Sequence, residues 1–178
     1  IGHIRRTLLE DLGFRGREIL VLGAGGFTLS QKELLNRYTY VDIDPAIRQI
    51  AEEQVENALD LRPDLISICA GGNDVIRPGS DPDEVAAELD RVVARLRQGG
   101  ATVLLFTSTD IGFSSVFRPI RGKVAIYNEN VRKVALRHDC IVVDLWSVEE
   151  LQDSRYWADD RLHPNALGTD NYTRAANK

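Results

Sequence analysis

Apolar residues gather along this chain in short runs that hardly alternate with polar ones. Runs rich in Val, Ile, Leu and aromatic residues occupy Ile19–Gly23, Tyr38–Ile43, Leu65–Ala70, Thr102–Phe106 and Ile141–Leu145. Continuous runs of this length predict strands buried on both faces, as in a parallel sheet covered by helices. Between the runs, apolar positions recur at the helical period, predicting helices near 30–36, 45–60, 83–98 and 123–138. An earlier helix carries Ile4, Leu8, Leu9 and Leu12 on one face and stops at Gly13 and Gly16. The start at Ser80-Asp81-Pro82-Asp83 is strongly marked, and Gly99-Gly100 ends the helix it opens.

Strand and helix therefore alternate, closing on a helical tail. The expected class is α/β: a three-layer, doubly wound, Rossmann-like sandwich on a five-stranded parallel sheet. With the third strand beside the first, the order is 2-1-3-4-5, the flavodoxin-like arrangement. Segment 109–122 is the long loop candidate. Ligands in such folds bind outside the carboxyl ends of the strands, so the residues just after each run are where chemistry is sought.

Composition narrows the classes. A chain of 178 residues, 43% hydrophobic, is expected to form one domain with a real core. The net charge of -5 comes with no basic stripe, which argues against nucleic acid as a partner. No apolar run approaches the ~20 residues of a spanning helix and no secretory pattern opens the chain, so no membrane partner and a soluble, cytoplasmic setting are expected. The start at Ile1 rather than methionine suggests a trimmed or processed product. Cys69 and Cys140 sit in apolar runs and read as small core residues, with a disulfide open only if their strands are neighbours. Three scattered histidines give no metal-ligand spacing.

The first half carries one candidate site. The first strand ends in Gly23-Ala24-Gly25-Gly26, and the second in Asp42-Ile43-Asp44. The glycines allow close backbone approach to a ligand, and Asp42, 19 positions after Gly23, is near the spacing for gripping ribose hydroxyls. A tight strand-to-helix turn with a solvated Asp42 fits the same residues. "GHIRRTLLEDLGFRGREILVLGAGGFTLS" and "NRYTYVDIDPAIRQIAE" resemble the spermidine synthase group of S-adenosylmethionine-fold transferases over about residues 2–53. The resemblance implies that Gly23, Gly25 and Gly26 line a sulfonium nucleoside and that Asp42, with Asp44 close by, serves its ribose. The acidic residue that family carries after the third strand, and its aspartate after the fourth, have no counterpart here. No cofactor is expected to be required; S-adenosylmethionine would bind weakly.

The second half carries another. "RPDLISICAGGNDVIRP" ends a strand in Gly71-Gly72-Asn73-Asp74, and "DDRLHPNALG" places Asp160 three residues before His163. Asn73 could donate a side-chain N–H to a developing oxyanion, and His163 could act as a base oriented by Asp160. Taken alone, each motif reads more readily as a plain glycine turn or as a surface segment in which Pro164 opens the last helix; together and in this order they point to a site. From about residue 56 to 168 the chain resembles the SGNH (GDSL-like) hydrolases, with "GGND" and "DRLH" as the matching blocks. By that resemblance Gly72 and Asn73 belong to the oxyanion site, His163 is the base and Asp160 its orienting acid. The family's nucleophile is a serine in a Gly-Asp-Ser turn after the first strand, where this chain has Gly23-Ala24-Gly25, so Gly25 stands at the serine's place. The second-block glycine is likewise replaced by "VDIDP". Thr28 and Ser30 lie inside the predicted following helix and face the wrong way for a substitute.

Two resemblances meeting inside one predicted helix lead to the expectation of an engineered, de novo chimera. Its pieces are a transferase-like βαβα unit (1–54), an SGNH-like piece (55–168) and a tail (169–178), all forming one α/β domain. Both half sites are incomplete, which predicts no catalysis, or at most residual ester hydrolysis through Asp160, His163 and Asn73.

Overall fold

A computed structural model of the chain describes residues 18–22 and 37–41 as strand backbone, residue 47, residues 54–158 and residue 165. Strands β1 (Glu18–Leu22), β2 (Arg37–Val41), β3 (Leu65–Ile68), β4 (Thr102–Phe106) and β5 (Ile141–Val143) pair in parallel in the order β2-β1-β3-β4-β5. The class is α/β. In register, Ile68 of β3 lies opposite Leu22 of β1 and Leu105 of β4.

Pleating sorts the central strands into two faces. Ile66, Ile68, Val103 and Leu105 join the core that packs under the helices, while Leu65 and Leu104 are buried on the opposite side. Non-alternating apolar runs at β3 and β4 thus have their physical cause, since neither face meets water. A second cluster of Val143, Leu145, Val148, Leu151 and Trp157, with Phe106 and Phe113 against it, lies beyond the carboxyl ends of β4 and β5.

The helices are α1 (Val55–Asp60), α2 (Gly72–Ile76), α3 (Pro82–Arg97) and α4 (Arg121–Arg137). Helix α3 follows its sequence signals closely. The Asp81 carboxylate accepts the Asp83 N–H at 2.9 Å, Pro82 opens the first turn, and Gly100 takes a left-handed φ of 81° just past the end. Its buried stripe of Ala86, Leu89, Val92, Val93 and Leu96 has helical spacing and packs on α4. Of the helix expected at 45–60, Ile47 and Val55–Asp60 are described, and they are helical.

Several elements end earlier or differ locally, each for a tertiary reason. Strand β3 stops at Ile68 rather than Ala70, and the Ala70 carbonyl accepts the Tyr127 hydroxyl at 2.9 Å. Strand β5 stops at Val143, because the N–H groups of Leu145 and Trp146 turn to the Thr107 hydroxyl, at 2.8 and 3.2 Å. The loop expected over 109–122 holds two 3-10 turns, Ile111–Phe113 and Arg118–Ile120, before α4 begins. Cys69 and Cys140 are half-buried just outside β3 and β5, not within strands as the apolar runs implied. With β4 between those strands, no disulfide joins them, and burial pushes the Cys140 thiol up to about 11. The expected helix at 30–36, the one before Gly13 and the tail lie outside the described residues.

Candidate functional site

The carboxyl edge of β3 is shaped by its Gly-Gly-Asn-Asp turn. Gly71 has φ of 86°, and a β-carbon there would overlap the buried Tyr127 hydroxyl. Only glycine satisfies both conditions. Tyr127 is fully buried, and its hydroxyl holds the preceding Ala70 carbonyl, so α4 fixes the height at which the turn leaves the sheet. Burial also pushes the Tyr127 phenol far above its ordinary range, keeping it neutral and able to donate. Gly72 opens α2 and faces β4: a β-carbon on it would sit 3.3 Å from the Ser108 hydroxyl.

Asn73 and Asp74 part company here. The Asp74 carboxylate accepts the Ile47 N–H at 3.1 Å and lies 3.6 Å from the Arg77 guanidinium, a structural tie between segments. Asn73 is half-buried, and its side-chain amide makes no hydrogen bond in the structure described. A rigid turn thus presents one unengaged amide at the rim, the feature an oxyanion donor requires.

The neighbouring edge is built differently. The Asp144 carboxylate accepts the Thr107 hydroxyl at 3.0 Å, Arg132 at 2.9 Å, the Trp146 N–H at 3.1 Å and the Ser147 hydroxyl at 3.0 Å. Burial would raise its pKa, but these bonds outweigh that and hold it below the usual carboxylate range. Asp110, almost wholly buried, receives a two-pronged bond from Arg121 at 2.7 and 2.6 Å, and accepts the Gly112 N–H at 2.9 Å. The Arg121 bond is the main reason its carboxyl is lowered. Arg121 lies 5.1 Å from the Trp146 ring centre, a cation–π contact. Asn128, buried on α4, takes the Ser108 N–H on its oxygen and gives its amide to the Ser108 carbonyl, both at 2.8 Å.

The stretch that contains Asp160 and His163 is bracketed by described residues. Trp157 stacks on Phe113 with ring centres 5.2 Å apart and donates its indole N–H to the Leu151 carbonyl at 2.7 Å. Asn165, two residues past His163, donates to the carbonyls of Arg155 and Trp157 at 2.7 and 3.2 Å, and its backbone N–H to Tyr156 at 3.0 Å. Asn165 is thereby tied to Trp157, and Trp157 to Phe113 in the segment that follows β4.

Of the residues singled out in the sequence, Gly72 and Asn73 sit on the rim after β3. Asp160, His163, Gly23, Gly25, Gly26, Asp42 and Asp44 lie outside the described residues, as do Thr28 and Ser30. Ser108, Asn128, Tyr127, Trp157 and Asn165 were not singled out. The polar run Thr107-Ser108-Thr109-Asp110 immediately after an apolar strand was the signal that could have pointed to the first of them. Among the described residues no group of three or more His, Cys, Asp or Glu could hold a metal ion, and no helix is long and apolar enough to cross a membrane.

Comparison with known proteins places this edge in context. The chain is similar to Axe2, an acetylxylan esterase from Geobacillus stearothermophilus, at 20% identity and a TM-score of 0.74, covering 90% of this chain and 92% of that one. It is similar to LAE5, an alpha/beta hydrolase enzyme from the metagenome of Lake Arreo, Spain, at 23% identity and a TM-score of 0.74, covering 90% and 93%. A GDSL-like lipase described as putative, from Parabacteroides merdae, matches at 15% identity and a TM-score of 0.75, covering 91% and 94%. These likenesses establish the fold. No functionally curated protein sequence matches. The model of the GDSL-like Lipase/Acylhydrolase family matches residues 4–170. That match runs without a break through the stretch read as transferase-like, and no comparison supports a spermidine synthase component or a join near residue 54. With nearly the whole chain matched, this protein belongs to the GDSL-like lipase/acylhydrolase family.

Proposed function

We propose that this chain binds small acyl esters, with acetylated carbohydrates as the leading class, at the rim after β3, and does not cleave them through an acyl-enzyme. The observation that carries this reading is the Asn73 amide, unengaged on a turn that Gly71 and Tyr127 hold rigid. Its Nδ2–H donates to the ester carbonyl oxygen. By the family resemblance His163 would be the base and Asp160 its orienting acid, and the acetylxylan esterase likeness suggests the substrate class. What is missing is the nucleophile, because Gly25 offers no side chain where the family's serine belongs. Water attack assisted by His163 then remains the sole route to hydrolysis, and it is slow.

The test is rapid-mixing kinetics with 4-nitrophenyl acetate in excess over protein, paired with an NMR titration of the Asn73 side-chain amide by acetate. The expected result is no burst, nitrophenol release no faster than with free imidazole, and a saturable shift of the Asn73 signals. A burst abolished by His163→Ala would overturn the inactive-site reading; an Asn73 signal that never shifts would overturn the binding reading.

A second reading has one observation in its favour. Strands β1 and β2 pair in register at Leu22 and Val41, the residues that immediately precede Gly23 and Asp42 in the chain. A weak nucleoside site formed by Gly23, Gly25, Gly26, Asp42 and Asp44, taking S-adenosylmethionine, is the proposal this supports. Calorimetry with S-adenosylmethionine at millimolar concentration tests it, and absence of heat rejects it. The engineered two-part origin, and a doubly wound sandwich with a second helical layer, are proposals carried by the sequence pattern.

A further inference from the structure

Resting on the ester-binding reading, we infer that Ser108 is a second donor to the bound carbonyl oxygen, working beside Asn73. Ser108 follows β4, which pairs with β3, and equal continuation of that register sets it alongside the glycine turn. The contact is direct: a β-carbon on Gly72 would lie 3.3 Å from the Ser108 oxygen. Gly72 is not at a left-handed φ, so its backbone does not demand glycine. The absence of a side chain at 72 has a different use: it leaves the space between the turn and the Ser108 hydroxyl open.

How Ser108 is held points the same way. A buried asparagine grips both backbone groups of this one residue, Asn128 accepting its N–H and donating to its carbonyl. Burying an amide side chain is costly unless both ends are bonded, and here both bonds go to fixing Ser108. Its side chain is treated in the opposite way. Thr107 is bonded through its hydroxyl to Asp144, and Asp110 through its carboxylate to Arg121. The half-buried Ser108 hydroxyl makes no hydrogen bond in the structure described. A hydroxyl with no hydrogen bond among the described residues, on an immobilised backbone and facing the turn that carries Asn73, suits an oxyanion whose position is set by that turn.

The role is binding and charge stabilisation, with no covalent step at Ser108. The probe is dimethylphosphinate, an anionic tetrahedral mimic of the acetyl addition intermediate, with acetate as the planar control. Affinities are read from the NMR shift of the Gly72 backbone amide in the full chain. Ser108→Ala is expected to weaken phosphinate about tenfold, the loss of one hydrogen bond to a charged group, and acetate less. Ser108→Thr, which keeps the hydroxyl, is expected to restore most of the affinity. Gly72→Ala, compatible with the helix, is expected to reproduce the loss by filling the gap. If Ser108→Ala leaves phosphinate affinity unchanged while Asn73→Ala removes it, Ser108 has no such role and the ester-binding reading stands. If the unaltered protein binds neither probe at tens of millimolar, both fall together.

Discussion

The edges of β3 and β4 run side by side, yet they treat their polar groups in opposite ways. After β4 and β5, nearly every polar atom with an identified role is engaged inside the protein. Thr107, Arg132 and Ser147 all donate to Asp144, and Arg121 and the Gly112 N–H both donate to Asp110. After β3, rigidity comes from shape instead, through Gly71 seated against Tyr127, and of the turn's two polar side chains Asp74 is engaged while the Asn73 amide makes no hydrogen bond among the described residues. The contrast separates polar residues that hold the fold together from those that make no hydrogen bond among the described residues. Ser108 belongs to both edges, its backbone engaged on one side and its hydroxyl open toward the other.

Mutations that confuse the two kinds of edge should be the most damaging. Gly71→Ala forces an L-residue into the left-handed region and against a buried phenol, for an expected loss of about 3 kcal/mol or more in urea unfolding. Gly72→Ala, one residue on, is expected to cost under about 1 kcal/mol. Equal costs at the two positions would break the account of the turn.

Next in size is the engaged edge. Arg121→Ala leaves the buried Asp110 carboxylate with the Gly112 N–H as its remaining partner among the described residues, an expected loss of about 2–3 kcal/mol. Thr107→Val removes the donor to Asp144 and the acceptor for two backbone N–H groups, costing about 1–3 kcal/mol. Both acids titrate below their usual range when folded, so the unfolded chain takes up protons first as acid is added. Their contribution is therefore complete above about pH 4 and declines as pH falls through the lower folded values. A pH series of chemical denaturation in the Asp110→Asn variant should show a shallower acid decline than the parent; an identical slope would contradict the assignment.

The smallest stability effect is expected where the ligand role is greatest. Asn73→Ala should alter unfolding free energy by less than about 0.5 kcal/mol, since its amide holds nothing in place, while abolishing the acetate-induced shifts.

Helix α3 was legible in full, because its caps and apolar stripe are local signals, and β4 likewise. The ends of β3 and β5 were not, because the groups that stop them, Tyr127 and Thr107, come from elsewhere in the chain. The five-residue helix α2 hides behind two glycines that read as a turn. At the site, Gly-Gly-Asn-Asp announced Asn73, whereas Ser108 acquires its meaning from Asn128, 20 residues away, and from Gly72, on the preceding strand's turn. Residues 2–53, read in isolation, pointed to a transferase, and a family match extending over 4–170 assigns most of that stretch to the hydrolase family. Short glycine loops after a first strand serve many α/β folds, so that motif discriminated poorly.

If the rim after β3 binds esters as proposed, supplying the family's serine at position 25 should restore cleavage. The measurement that tests it most directly is the esterase activity of the Ala24→Asp, Gly25→Ser double variant, with folding verified by its amide spectrum. The account predicts burst release from 4-nitrophenyl acetate that disappears again on adding Asn73→Ala or His163→Ala. A folded double variant with no burst would contradict it.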